Sequence, residues 1–246
     1  MRVRRVIAAV VLVVAVGAMG YGGYGLRAAQ QVYAQGDAAY ADLSVRMGRG
    51  PADPTQPAPG GPADVDFAAL QAVGRDAVAW LVSPGTPIDY PVMRASDYGY
   101  YLTHLPDGTA GAYGSLFIDY NNPPDFSGHL TVVYGHHLKS GAMFGSLVGY
   151  KHQSYAEAHP TMYLTTAGTS YRLDLLYGVV VAAGDWRDRA FMFEDNLDSL
   201  LAYAAAHTTF TSGVTYTPGD HIVALSTCSY EFEGARYVVL GVLRPV

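Results

Sequence analysis

The chain has 246 residues, half of them apolar or aromatic, which is enough for one sizeable domain with accessory segments. Its formal charge is −6, and from residue 65 onward 9 Lys and Arg face 17 Asp and Glu with no basic stripe, which argues against a partner with a phosphate backbone. Tyrosine is abundant at 20 residues, a leaning towards pleated structure, and the single cysteine, Cys228, rules out an intramolecular disulfide.

The N-terminus opens with Arg2, Arg4 and Arg5, followed by an uncharged stretch of 21 residues from Val6 to Leu26. A helix needs about 20 apolar residues to cross a bilayer, and basic residues before the span hold that end in the cytoplasm. The expected order is a cytoplasmic end at 1–5, a transmembrane anchor at 6–26 and everything else outside. A cleaved signal peptide has the same basic start and apolar run, with Ala15-Val16-Gly17-Ala18 as a small-residue site. The length of the uncharged run favours the anchor, and both readings place the remainder outside the cytoplasm. Residues 27–64 read as a polar, alanine-rich juxtamembrane helix followed by a linker, because Gly50 to Pro62 carries five prolines.

The folded domain is expected over 65–246. Asp66 is a plausible N-cap for a helix carrying Phe67, Leu70 and Val73 at helical spacing. A second short helix is expected from Arg75 to Leu81, ended by Ser83-Pro84-Gly85. Short apolar runs then alternate with turn residues: Tyr90–Met93, Ser115–Asp119, Leu130–Tyr134, Met162–Thr166, Ser170–Val181, His221–Leu225 and Tyr237–Leu243. So many short strands predict a mainly β fold, a closed barrel or a sandwich. One helix interrupts them, from Asn196 to His207, with Leu197, Leu200, Leu201 and Ala204 on one face.

Taken alone, Cys228 reads as a buried core cysteine. Its surroundings argue for chemistry. The strand Ile222-Val223-Ala224-Leu225 runs into Ser226-Thr227-Cys228, a polar loop follows, and Arg236 opens the next strand. Paired as a hairpin, these strands set thiol and guanidinium at one rim, where the cation can stabilise charge on an attacked carbonyl. A free thiol has a pKa of about 8.5 and needs a base or an electropositive setting. Tyr134-Gly135-His136-His137 supplies a candidate at the end of the run Leu130–Val133. His136 and His137 compete for the role, and alternation turns them to opposite faces. Asp119 could orient the histidine, although a structural role fits it better. The other histidines (His104, His129, His152, His159, His207 and His221) read as surface or core residues, and His159-Pro160 has no second metal ligand at suitable spacing.

Leu225-Ser226-Thr227-Cys228 with Arg236 downstream resembles the sortase signature, Thr-Leu-x-Thr-Cys and a later arginine, with Ala224 in place of the first threonine. Cys228-Ser229-Tyr230-Glu231-Phe232 and the eight-residue step to Arg236 look like class B sortases in particular. So do Asp66 to Trp80, Ile88-Asp89-Tyr90-Pro91-Val92, Tyr100-Tyr101-Leu102, Gly114 to Tyr120, Tyr134 to His137, Met143-Phe144 and the helix inserted before the last two strands. The resemblance covers roughly residues 65–244. It implies an eight-stranded sortase-type barrel and a cysteine transpeptidase that cuts a C-terminal sorting signal after threonine through a Cys228 thioester. An amine of a peptidoglycan cross-bridge or a pilin then resolves that thioester. It further implies His136 as proton carrier, being the histidine directly after glycine, and Arg236 as electrostatic helper. Ser226 and Thr227 become candidate substrate contacts. No metal or organic cofactor is implied, and the signal expected of this class is Asn-Pro-x-Thr-like or Ser/Pro-Pro-x-Thr-like. Cargo could be a haem-uptake protein, a pilin or an adhesin. The same residues would serve a thiol hydrolase, and the barrel alone would serve a silent surface-binding module.

Overall fold

The computed structural model describes residues 27, 30–50, 58–188 and 197–246. The basic start and the run 6–26 lie outside the described residues, and among the described residues no helix is long and apolar enough to cross a membrane.

Eight strands close into a barrel in the order β1-β2-β3-β4-β7-β8-β6-β5. They are β1 (Ala77–Val82), β2 (Asp89–Arg94), β3 (Leu116–Ile118), β4 (Leu130–Tyr134), β5 (Thr161–Thr165), β6 (Ser170–Ala182), β7 (His221–Cys228) and β8 (Ala235–Pro245). Neighbours pair antiparallel except β2 with β3 and β4 with β7, which run parallel. The helices are α1 (residues 30–46), α2 (Phe67–Val73), α3 (Gln153–Ala158), α4 (Ala183–Asp188) and α5 (Leu197–His207), with 3-10 turns at Tyr100–Leu102 and Gly145–Lys151. Asp66 does cap α2, accepting a hydrogen bond from the Ala69 N–H at 3.0 Å.

The segment expected as a second helix, Arg75 to Leu81, is instead mostly β1. Val78, Trp80 and Val82 suit a pleated strand. β1 lies between β2 and β5 and is almost wholly buried, so its apolar run lacks the alternation of a half-exposed strand.

Two apolar clusters flank the sheet. The lumen is filled by side chains such as Val133, Phe117, Leu225 and Val239. On the outer face of β4, β6, β7 and β8 a second cluster packs Val132, Val179, Ala224 and Val238 under Trp186 of α4 and Leu200, Leu201 and Ala204 of α5. Both helices fall between β6 and β7, so the insertion roofs the outer face of the strands that carry the sequence motifs.

α1 packs against the barrel rather than standing apart from it. Tyr40 and Leu43, with Met47 just past the helix, join the same apolar cluster as the lumen residues. Tyr40 Oη donates to the Gly114 carbonyl at 2.7 Å, and Arg49 pairs with Asp89 at 2.8 Å while lying over the Trp80 ring. The proline-rich stretch returns to the fold at Ala58, which bridges to Pro84.

Candidate active site

Strand pairing decides which residues meet. β4 and β7 are parallel with Tyr134 opposite Ser226, so both strands end at the same rim. β7 and β8 are antiparallel with Cys228 opposite Arg236 on the last rung, which brings the start of β8 to that rim as well. Side-chain alternation then sets the face. Val223 and Leu225 enter the lumen cluster, whereas Ile222 and Ala224 enter the outer one, so Ser226 and Cys228 share the outer face. Along β8, Val238 and Leu240 assign Arg236 to the same face. Leu130 and Val132 do the same for β4, and the parity continues to His136.

Cys228, His136 and Arg236 accordingly line one open cleft. Tyr98, Leu102, Phe117 and Tyr134 wall one side, and Ala183 and Trp186 of α4 lie on another. All three polar residues are half-buried. The site sits outside the lumen, between the strand ends and the helical insertion.

His136 is held by the main chain. Its Nε2 lies 2.7 Å from the Leu102 carbonyl. A carbonyl oxygen only accepts, so Nε2 carries the hydrogen and Nδ1 is the ring nitrogen left for proton exchange. Gly114 backs the ring. Its φ is +64°, and a Cβ there would stand 2.8 Å from the Tyr101 carbonyl and 2.9 Å from His136 Cδ2. Gly135 lets β4 turn into the site, since a Cβ would come within 2.4 Å of Leu116. His137 faces elsewhere: its Nδ1 donates to the Cys228 carbonyl at 2.8 Å, and its ring packs against Tyr230. Asp119 does not orient the histidine. Its carboxylate accepts from Asn121 and from the Tyr134 hydroxyl at 3.0 Å. Burial first, and then the same carboxylate, push the Tyr98 phenol well above its ordinary range, so Tyr98 stays neutral in the wall of the cleft.

The two residues before the cysteine differ. Ser226 Oγ is buried, lines the cleft and has no hydrogen-bond partner among the described residues. Thr227 Oγ1 donates to the Gly135 carbonyl at 2.8 Å, which ties the strand end of the thiol to the turn of the histidine. Arg236 Nη1 donates to its neighbouring Ala235 carbonyl at 3.1 Å. Among the described residues no group of His, Cys, Asp and Glu is arranged to hold a metal. Sequence reasoning did not find the Leu102 carbonyl, a main-chain atom 34 residues from its histidine; the Tyr-Tyr-Leu motif marked the place without indicating the role.

No family model matches the chain. Sortase B of Listeria monocytogenes is 33% identical over 178 residues, 71% of this chain and 72% of that protein. The chain belongs to the sortase B family. Sortase B of Staphylococcus aureus is 28% identical over 71% of this chain and 73% of its own length. The sortase fold also matches a crystal structure of a Bacillus anthracis protein similar to sortase B, with a TM-score of 0.73 and 27% identity over 87% of this chain and 98% of that one. The sortase is a cysteine transpeptidase of class B.

Proposed function

We propose that this sortase cuts a C-terminal sorting signal after threonine and joins the carbonyl to an amine, with Cys228 as nucleophile, His136 as proton carrier and Arg236 as the charge that steadies the reacting carbonyl. The observation that carries this reading is the convergence of the three side chains on one face, at one rim, in one cleft. In the first half-reaction the sulfur bonds to the threonine carbonyl carbon and the peptide C–N bond breaks. The thiol proton passes through His136 Nδ1 to the leaving amine. In the second, an amine attacks the thioester, the C–S bond breaks, and the amine's proton returns through the imidazole to sulfur. A planar guanidinium on the rung of the nucleophile suits the oxyanion or the peptide backbone.

Ser226 Oγ supplies a hydrogen bond to the bound peptide, because a buried hydroxyl without a partner is costly until something meets it. Thr227 acts through position, since its hydroxyl is already committed to Gly135. The aromatic wall of Tyr98, Phe117 and Tyr134 offers apolar surface to side chains preceding the threonine. Solved sortase B structures include a Staphylococcus aureus substrate complex and a complex with triglycine, which supports a peptide donor and a glycine amine acceptor for this relative. A Streptococcus pyogenes class B sortase is involved in pilus biogenesis, so a pilin amine is the alternative acceptor. The basic, apolar N-terminus supports a single-pass anchor with the barrel on the cell surface.

The test is cleavage of a panel of fluorogenic sorting peptides by the full chain, with and without triglycine. The reading expects cleavage after threonine, an amine-linked product, and neither with Cys228→Ala. Cleavage that never incorporates an amine makes the protein a thiol hydrolase; no cleavage of any peptide removes the proposal.

A further inference from the structure

The 3-10 turn Gly145–Lys151 connects the histidine's turn to the cysteine's loop. At its start, the Phe144 N–H donates to the His136 carbonyl at 3.0 Å. Its middle cannot shift easily, because Leu147 and Tyr150 are fully buried and the Tyr150 hydroxyl donates to the His159 carbonyl at 2.8 Å. At its end stands Lys151, one of only two lysines in the chain. Its ammonium donates to Ser229 Oγ at 2.8 Å and to the Glu231 carboxylate, and lies 5.1 Å over the Tyr237 ring. Ser229 follows Cys228, and Tyr237 follows Arg236. One ammonium thus touches the neighbour of the thiol and the neighbour of the guanidinium. A compact cation with three rotatable donors suits such a junction. Ser229 is buried and gives its hydroxyl proton to Glu231, which closes the cluster.

From this arrangement we infer that Lys151 is a positioning residue: with Ser229 and Glu231 it fixes the loop 229–234 so that Cys228 and Arg236 keep their alignment with His136. The inference rests on the roles proposed above for those three residues. Lys151 touches no reacting atom, so its loss should disturb turnover more than peptide affinity. A displacement of about 1 Å at a reacting group can cost about a hundredfold in rate.

The experiment compares Lys151→Met, Lys151→Arg and Glu231→Gln in the full chain. For Lys151→Met the expected result is a fall in kcat of about tenfold or more with KM within about threefold, and for Lys151→Arg recovery of most of that loss. Hydrogen exchange supplies a readout that needs no peptide. The Ser229 and Ala235 amides, bonded to the Ala235 and Phe232 carbonyls, should exchange about tenfold faster in Lys151→Met and in Glu231→Gln, while amides of β5 and β6 hold the wild-type rate. Unchanged loop exchange overturns the inference, as does faster exchange with wild-type kcat. A wild type that cleaves no peptide counts against the proposed sorting-signal reaction instead, and the loop exchange still judges the Lys151 contacts by themselves.

Discussion

Gly114 shows how narrowly the histidine is held. With φ at +64° and three atoms within 3 Å of any added Cβ, Gly114→Ala must either strain the chain or push the His136 ring away from Leu102. The expected outcome is a kcat at least tenfold lower and a stability loss of about 1–3 kcal/mol, read by steady-state kinetics and by urea melts. Cys228→Ala should abolish turnover while leaving the melting temperature within a few degrees, because it removes one half-exposed sulfur from a rim. Arg236→Lys should lower kcat/KM by about tenfold or more in the same assay, since an ammonium cannot reproduce the planar fork. At this scale the sequence was informative about polar side chains and silent about main-chain partners. His136 was singled out by the sortase resemblance, as the histidine directly after glycine; strand parity only set it on the opposite face from His137. Its Leu102 carbonyl carries no residue signature, and the link from His137 to the Cys228 carbonyl is equally unmarked.

Among elements, the legible ones were those whose pattern had a single physical reading. β4 matched its predicted bounds, and β2, β3, β5, β6, β7 and β8 fell within a few residues of theirs, because turn residues bracket them. α5 was legible from its leucine stripe, which packs on the outer cluster. β1 was misread because burial on both sides erases the two-residue period. The loop between β7 and β8 read as a plain polar connection, yet its Ser229 is buried against Lys151 and Glu231. That cluster carries a pH signature. Burial pushes the Glu231 carboxyl up, but hydrogen bonds from Lys151 and Ser229 outweigh it and hold the group below its ordinary 4.5. Because the folded value is the lower one, the contribution is fully present above the unfolded value and is lost as pH falls through the folded one. The stability gap between wild type and Glu231→Gln should therefore be constant near neutrality and close below about pH 4. A gap that persists at pH 2 in denaturant titrations would count against the ion pair.

For the molecule as a whole, the segment 30–50 matters more than its composition suggests. Its alanines and charges dilute the stripe of Tyr40, Leu43 and Met47, and the prolines after it look like a boundary. Each of these three side chains is nearly fully buried on the barrel, worth about 1.5–3 kcal/mol apiece. A chain beginning at residue 65 should melt at least about 10 °C below one beginning at residue 27, because losing α1 also exposes Tyr113 and losing Arg49 uncovers part of the Trp80 face. Equal melting temperatures in scanning calorimetry would show that α1 adds nothing.

The parallel pairing of β4 and β7 also governs when the centre can exist. The Thr227 hydroxyl and the Gly135 carbonyl that it grips are 92 residues apart. A contact of that span closes a long loop, and closures of this kind are slow because their entropy is paid before the contact rewards it. Synthesis delivers the imidazole well before the sulfur. Until the long loop closes, Cys228 sits on an open strand, with neither the His136 imidazole nor the Arg236 guanidinium beside it. A chain still being made therefore has no assembled cleft, and the three side chains come together only as the barrel is completed.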